Sequence, residues 1–171
     1  MQLTTWGLAA ACGGLGRMDG LGERVRQIDA RAESFETGLH EAAIVGSSWV
    51  RGLLLAGLLD QADQAAQRYR KHCQDTPGPG EVITSSMFAH VAKSRGQVKT
   101  AARWFRQVLA ADTGGWQFTV LCDLPGVLGM AGEAASARQA LVELTAAQNP
   151  GYAFLEPEAN SLPCSAATDT G

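Results

Sequence analysis

The sequence predicts an all-α fold built as a stack of about four helical hairpins, and three observations carry that prediction. The first is a recurring glycine: Gly16, Gly57, Gly96 and Gly132 stand 41, 39 and 36 residues apart. The second is the set of residues at fixed distances after the last three glycines. Five residues on come Ala62, Ala101 and Ala137; nine on come Ala66, Phe105 and Leu141; twelve on come Tyr69, Val108 and Leu144. Leu21, Val25 and Ile28 are a looser first copy. The third is the period itself. Apolar residues recur at steps of three and four, and no segment alternates with period two over a useful length. Self-similarity at this interval marks units that bury their apolar faces only against neighbours.

A first pair of helices is expected over about 3–15 and 20–33, with Gly16 between them. A second pair is expected over about 38–56 and 61–74, with Asp60 as the cap of its second helix. Asp75-Thr76-Pro77-Gly78-Pro79-Gly80 reads as a loop, since two prolines and two glycines fall within it. The third pair is expected over about 82–94 and 97–111. Here Val98, Ala101, Ala102, Phe105, Val108 and Leu109 form one apolar stripe, with Lys99, Arg103 and Arg106 off it. The fourth pair is expected over about 117–131 and 133–148. Pro125-Gly126 predicts that its first helix starts late or that the repeat is distorted. The repeats thus occupy 1–148. Residues 149–171 read as a turn and a largely disordered tail, because no helical stripe continues there.

Composition narrows the function. Apolar residues make up 46% of the 171 and charged residues 18%, enough for a folded core. A net charge of −3 argues against a dedicated nucleic-acid binder. The charge is unevenly spread. No acid lies between Glu81 and Asp112, where Lys93, Arg95, Lys99, Arg103 and Arg106 fall, whereas from Asp112 onward seven acids face only Arg138. No run approaches the ~20 apolar residues of a membrane span. The stretch Leu8-Ala9-Ala10-Ala11-Cys12 lacks a basic flank and reads as helix rather than as a leader. Cys12, Cys73, Cys122 and Cys164 share no C-x-x-C spacing and fit a reduced, cytoplasmic chain.

The sequence carries no recognisable catalytic or ligand-binding motif, so no enzyme, cofactor or metal is expected. His40, His72 and His90 lie in different expected helices, and none stands in H-E-x-x-H. Gly46-Ser47-Ser48-Trp49-Val50 is no nucleophile elbow; its small residues fit close helix packing. Gly13-Gly14-Leu15-Gly16 has no strand before it and fits a helix end better than a dinucleotide loop. Lys99, Arg103 and Arg106 share one helix face beside Trp104, a candidate contact for phosphates or an acidic partner. The plainer alternative is a solvated face that pairs with the acidic fourth repeat. Trp49, Phe88 and Trp104 are candidate aromatic contacts that serve equally well as core.

The spacing of glycine, alanine and a large apolar residue resembles the second half of a tetratricopeptide repeat. The first halves lack that repeat's tryptophan and tyrosine pattern, so the match is to the looser TPR-like class. Leu53-Leu54-Leu55-Ala56-Gly57, Ala101-Ala102-Arg103-Trp104-Phe105, Met130-Ala131-Gly132-Glu133-Ala134-Ala135 and Ala153-Phe154-Leu155-Glu156-Pro157-Glu158 are similar to the helical-repeat region of large ATP-binding LuxR-type transcription regulators. The resemblance implies a right-handed TPR-like superhelix that binds a protein or effector on its inner groove, lined by the first helix of each hairpin. It implies neither ATPase nor DNA-reading residues here. The G-x-x-x-x-G-K-[ST] loop is missing, and no basic helix-turn-helix comes after residue 158. The departure at about Ala159 predicts a truncation or frameshift, with self-association through an uncapped last repeat. Two alternatives stand beside the scaffold: a relic without independent function, and a DNA-associated regulator acting through helix 97–111.

Overall fold

The computed structural model describes residues 12, 15–17, 19–23, 38–73, 79–111 and 117–147. Among these, every regular element is helical: α1 (Gly38–Leu55), α2 (Leu59–Cys73), α3 (Pro79–Ser94), α4 (Val98–Ala110), α5 (Gln117–Met130) and α6 (Ala134–Ala146). The pairs α1/α2, α3/α4 and α5/α6 pack as hairpins. Of the expected first pair, only Cys12 and 21–23 are helical among the described residues, and Leu21 is buried.

The recurring glycine has one physical role at every copy. Gly16, Gly57, Gly96 and Gly132 adopt φ of 65°, 75°, 72° and 80°, the left-handed region that a Cβ disfavours. Around Gly57 the chain closes a Schellman turn. Leu58 N–H donates to the Leu53 carbonyl at 2.9 Å, and Gly57 N–H donates to that of Leu54 at 3.0 Å. The same two bonds recur from Gln97 to Ala92 and Gly96 to Lys93, and from Glu133 to Leu128 and Gly132 to Gly129. Arg17 N–H to the Cys12 carbonyl, 2.8 Å, repeats the longer one at the first copy. The residue after each later glycine then opens the next helix, its carbonyl accepting from Ala62, Ala101 or Ala137. Those three alanines are at most 1% exposed, which is why a small residue is needed five positions on.

These turns set a paired prediction. A Cβ at Gly132 or at Gly129 would meet nothing within 4 Å, yet only Gly132 has positive φ. Gly132→Ala is therefore expected to lose about 1–2 kcal/mol through conformation alone. Gly129→Ala, inside α5, is expected to gain about 0.4–1 kcal/mol by narrowing the unfolded ensemble. Urea unfolding of the two variants checks the opposite signs.

Packing is organised around α3. Ile83, Met87 and Val91 join a first core with Ala43, Val50 and Leu53 of α1 and Ala62, Ala66 and Tyr69 of α2. Val82, Ala89 and Ala92 join a second core with Phe105 and Val108 of α4, Val120, Leu124 and Val127 of α5, and Ala137 and Ala140 of α6. A helix buried on two sides cannot show a clean polar face. Its Thr84, Ser85 and Ser86 are accordingly buried, with the Thr84 hydroxyl donating to the Glu81 carbonyl at 3.0 Å.

Four expectations change. Asp60 is not the cap of α2; the helix starts at Leu59, with Asp60 in its first turn, because Leu58 already serves the Schellman turn. The expected loop ends sooner, since α3 begins at Pro79, whose fixed φ and missing N–H suit a first helical position. α5 starts on time at Gln117 and runs through Pro125 to Met130. An interior proline costs about 3 kcal/mol; burial of Val120, Leu121, Leu124, Val127 and Leu128 around it offsets that penalty. Leu141, expected as core, is only half-buried, and Ala140 takes the buried place instead. The expected tail, 149–171, lies outside the described residues.

Candidate binding site

Arg70, Phe88 and Trp104 come from three different helices and meet at one place. On α4 the buried positions are Ala101, Ala102, Phe105 and Val108, so Trp104 falls at the edge of the apolar stripe and is half-buried. On α2, Arg70 comes next after the buried Tyr69 and is exposed. Phe88 of α3 is partly buried against the first core. The Phe88 and Trp104 rings stack with centroids 5.6 Å apart at 27°. The Arg70 guanidinium carbon lies 5.3 Å from each centroid, and that of Arg103 lies 5.9 Å from the Trp104 centroid.

Beside this stack opens a cleft of about 130 Å³, lined by Arg70, Cys73, Glu81, Thr84, Trp104 and their neighbours. Burial pushes the Cys73 thiol above its ordinary pKa, so this sulfur is a packing group and not an activated nucleophile. Cys122 is likewise buried in α5.

A second polar group joins α3 to α5. The Asp123 carboxylate accepts from Lys93 Nζ, and its other oxygen lies 3.2 Å from His90 Nδ1. The His90 ring meets Phe105 edge-on at 5.2 Å. Burial alone would raise the Asp123 pKa. The charges of His90, Lys93 and Arg51, with the Lys93 hydrogen bond, outweigh burial and hold it below the usual value. A carboxyl that holds its proton less tightly in the folded chain stabilises it above the unfolded pKa. That contribution is lost as pH falls through the depressed folded pKa. Stability is thus expected to decline on acidification below about pH 4, and Asp123→Asn to flatten that decline, as read by urea unfolding across pH.

The expected site residues separate on this frame. Trp104 and Phe88 stack, whereas Trp49, half-buried against the same first core as Phe88, is not part of that stack. Arg103 joins Trp104, and Lys99 is exposed on α4. Arg106 instead forms an ion pair with Glu133 at the start of the next hairpin's second helix. Arg95 likewise spans hairpins, reaching Asp60 at 2.8 Å and Asp63 at 3.3 Å. Arg70 and Asp123 escape sequence reading; each lies at least 27 residues along the chain from a principal partner, as the Arg106–Glu133 pair also does. Their only sequence signal is a charge next to a stripe residue, which every helix offers.

Among the described residues, no three His, Cys, Asp or Glu side chains gather as a metal site, and no helix is long and apolar enough to cross a membrane. No protein-family model, curated protein or solved structure matches the chain.

Proposed function

We propose that this chain is a non-catalytic helical-repeat scaffold that binds a protein or effector, with the TPR-like right-handed superhelix as its arrangement. The observation that carries the reading is the threefold Schellman turn with a buried alanine five residues after each glycine. Identical joints repeated within successive hairpins, with α3 shared by two cores, are how repeat arrays extend a surface without a central active site. Within this reading the chain corresponds to the helical-repeat region of a LuxR-type regulator. Of the segments that carry the resemblance, those around Gly57, Ala101 and Gly132 lie in the described hairpins and are generic to helical repeats, whereas 153–158, the most specific, lies outside the described residues.

The test is affinity capture with the tagged full chain, followed by titration calorimetry with each captured protein after purification. A one-to-one complex in the micromolar range or tighter is the expected result. Absence of any partner that binds when purified, or turnover of a substrate by the chain alone, overturns the reading.

A further inference from the structure

We propose that the face around Trp104 is a docking site for an acidic side chain of a partner polypeptide, held by Arg70 and Arg103; this rests on the binding-scaffold reading. Two guanidinium groups from different helices lie over one indole. Among the described residues no carboxylate reaches either of them: the ion pairs of this region belong to Lys93, Arg95 and Arg106. Stacking on an aromatic ring uses the flat face of a guanidinium and leaves its N–H edge free for a carboxylate. Bringing two like charges to one ring is unfavourable unless an anion or water screens them. The arrangement is therefore that of an anion receptor whose arginines are already held in place.

The occupant is set by size and charge. The cleft beside the rings, about 130 Å³, is smaller than the ~300 Å³ or more of typical small-molecule sites and matches a single side chain. Ser85 and Gln107 line it and offer neutral hydrogen-bond donors. Glu81 on the same wall offsets one of the two guanidinium charges, so the site balances a single anion. A run of phosphates is thus disfavoured, as the net charge of −3 also disfavours it. One carboxylate, taken by Arg70 on the wall of the cleft and by Arg103 over the same indole, meets each demand.

The experiment titrates the full chain into a fluorescein-labelled ten-residue glycine–serine peptide carrying one central glutamate, with its glutamine counterpart as control, at fixed ionic strength and reads anisotropy. An oligothymidylate of ten nucleotides serves as the comparison probe. Saturable peptide binding is expected, weakened about tenfold or more by the pair Arg70→Gln and Arg103→Gln. The pair Arg68→Gln and Arg138→Gln, with the same loss of charge, is expected to change it by about twofold or less. All four side chains are exposed, and far-ultraviolet circular dichroism with a urea midpoint confirms that each variant folds. No saturable peptide binding, equal weakening by both pairs, or tighter binding of the oligothymidylate overturns the proposal. A partner captured by the native chain and kept by the Arg70/Arg103 variant overturns this site while leaving the scaffold reading intact.

Discussion

Phe105→Ala is expected to destabilise the chain by about 3–5 kcal/mol, the largest effect of any single truncation in the second core. Phe105 is fully buried and is the largest such side chain among the described residues. Its ring contacts His90 edge-on and lies among residues from α3, α4, α5 and α6, so truncation opens a cavity at the junction of two hairpins. A smaller residue there cannot be compensated by collapse, because the surrounding helices are held at their ends by the Gly96 and Gly132 turns. In a quasi-one-dimensional array the loss should be uneven along the chain. Amide exchange is expected to quicken most in α4, α5 and α6 and least in α1 and α2. A loss below about 1 kcal/mol, or uniform quickening in all six helices, would contradict this account.

Gly46→Ala should lose stability at the upper end of the overpacking range, about 3 kcal/mol, although alanine is the better helix former. A Cβ at Gly46 would lie 2.4–2.6 Å from three atoms of the Tyr69 ring, which is itself only 3% exposed. Helix propensity alone predicts a gain of about 1 kcal/mol for this change in α1. The sign of the result therefore decides between local preference and tertiary contact. A double-mutant cycle with Tyr69→Leu is expected to return a favourable coupling of about 1 kcal/mol or more, since the second change relieves the clash. Additive effects would mean that Tyr69 does not set the spacing of α1 and α2. Ser47 and Ser48 turn back on the same helix, their hydroxyls donating to the Ile44 carbonyl at 2.7 and 3.1 Å. Small residues here therefore serve close helix contact.

Part of the candidate site is legible in the sequence. Lys99, Arg103 and Trp104 share α4; one helical wheel groups Lys99 with Arg103 and sets Trp104 about 100° round from Arg103. Arg106 belongs to the same arc but is taken by Glu133, 27 residues away, which no wheel of α4 includes. Arg70 enters from α2 and Phe88 from α3, so the site exists only once two hairpins are docked. The Asp123 group has the same origin, drawing Lys93 and His90 from α3.

The helical class, the joints and the limits of most helices are encoded locally. Glycine's freedom at positive φ, and the three- and four-residue steps of a helix stripe, act within about a dozen residues and need no partner. The placement of charge and aromatic surface is a product of packing. Docked helices pair Arg106 with Glu133, set Arg70 and Arg103 over Trp104, and bring Gly46 under Tyr69. They also carry α5 through Pro125. Each of these depends on the offset between packed helices, a sum of weak contacts along whole faces that no local pattern encodes.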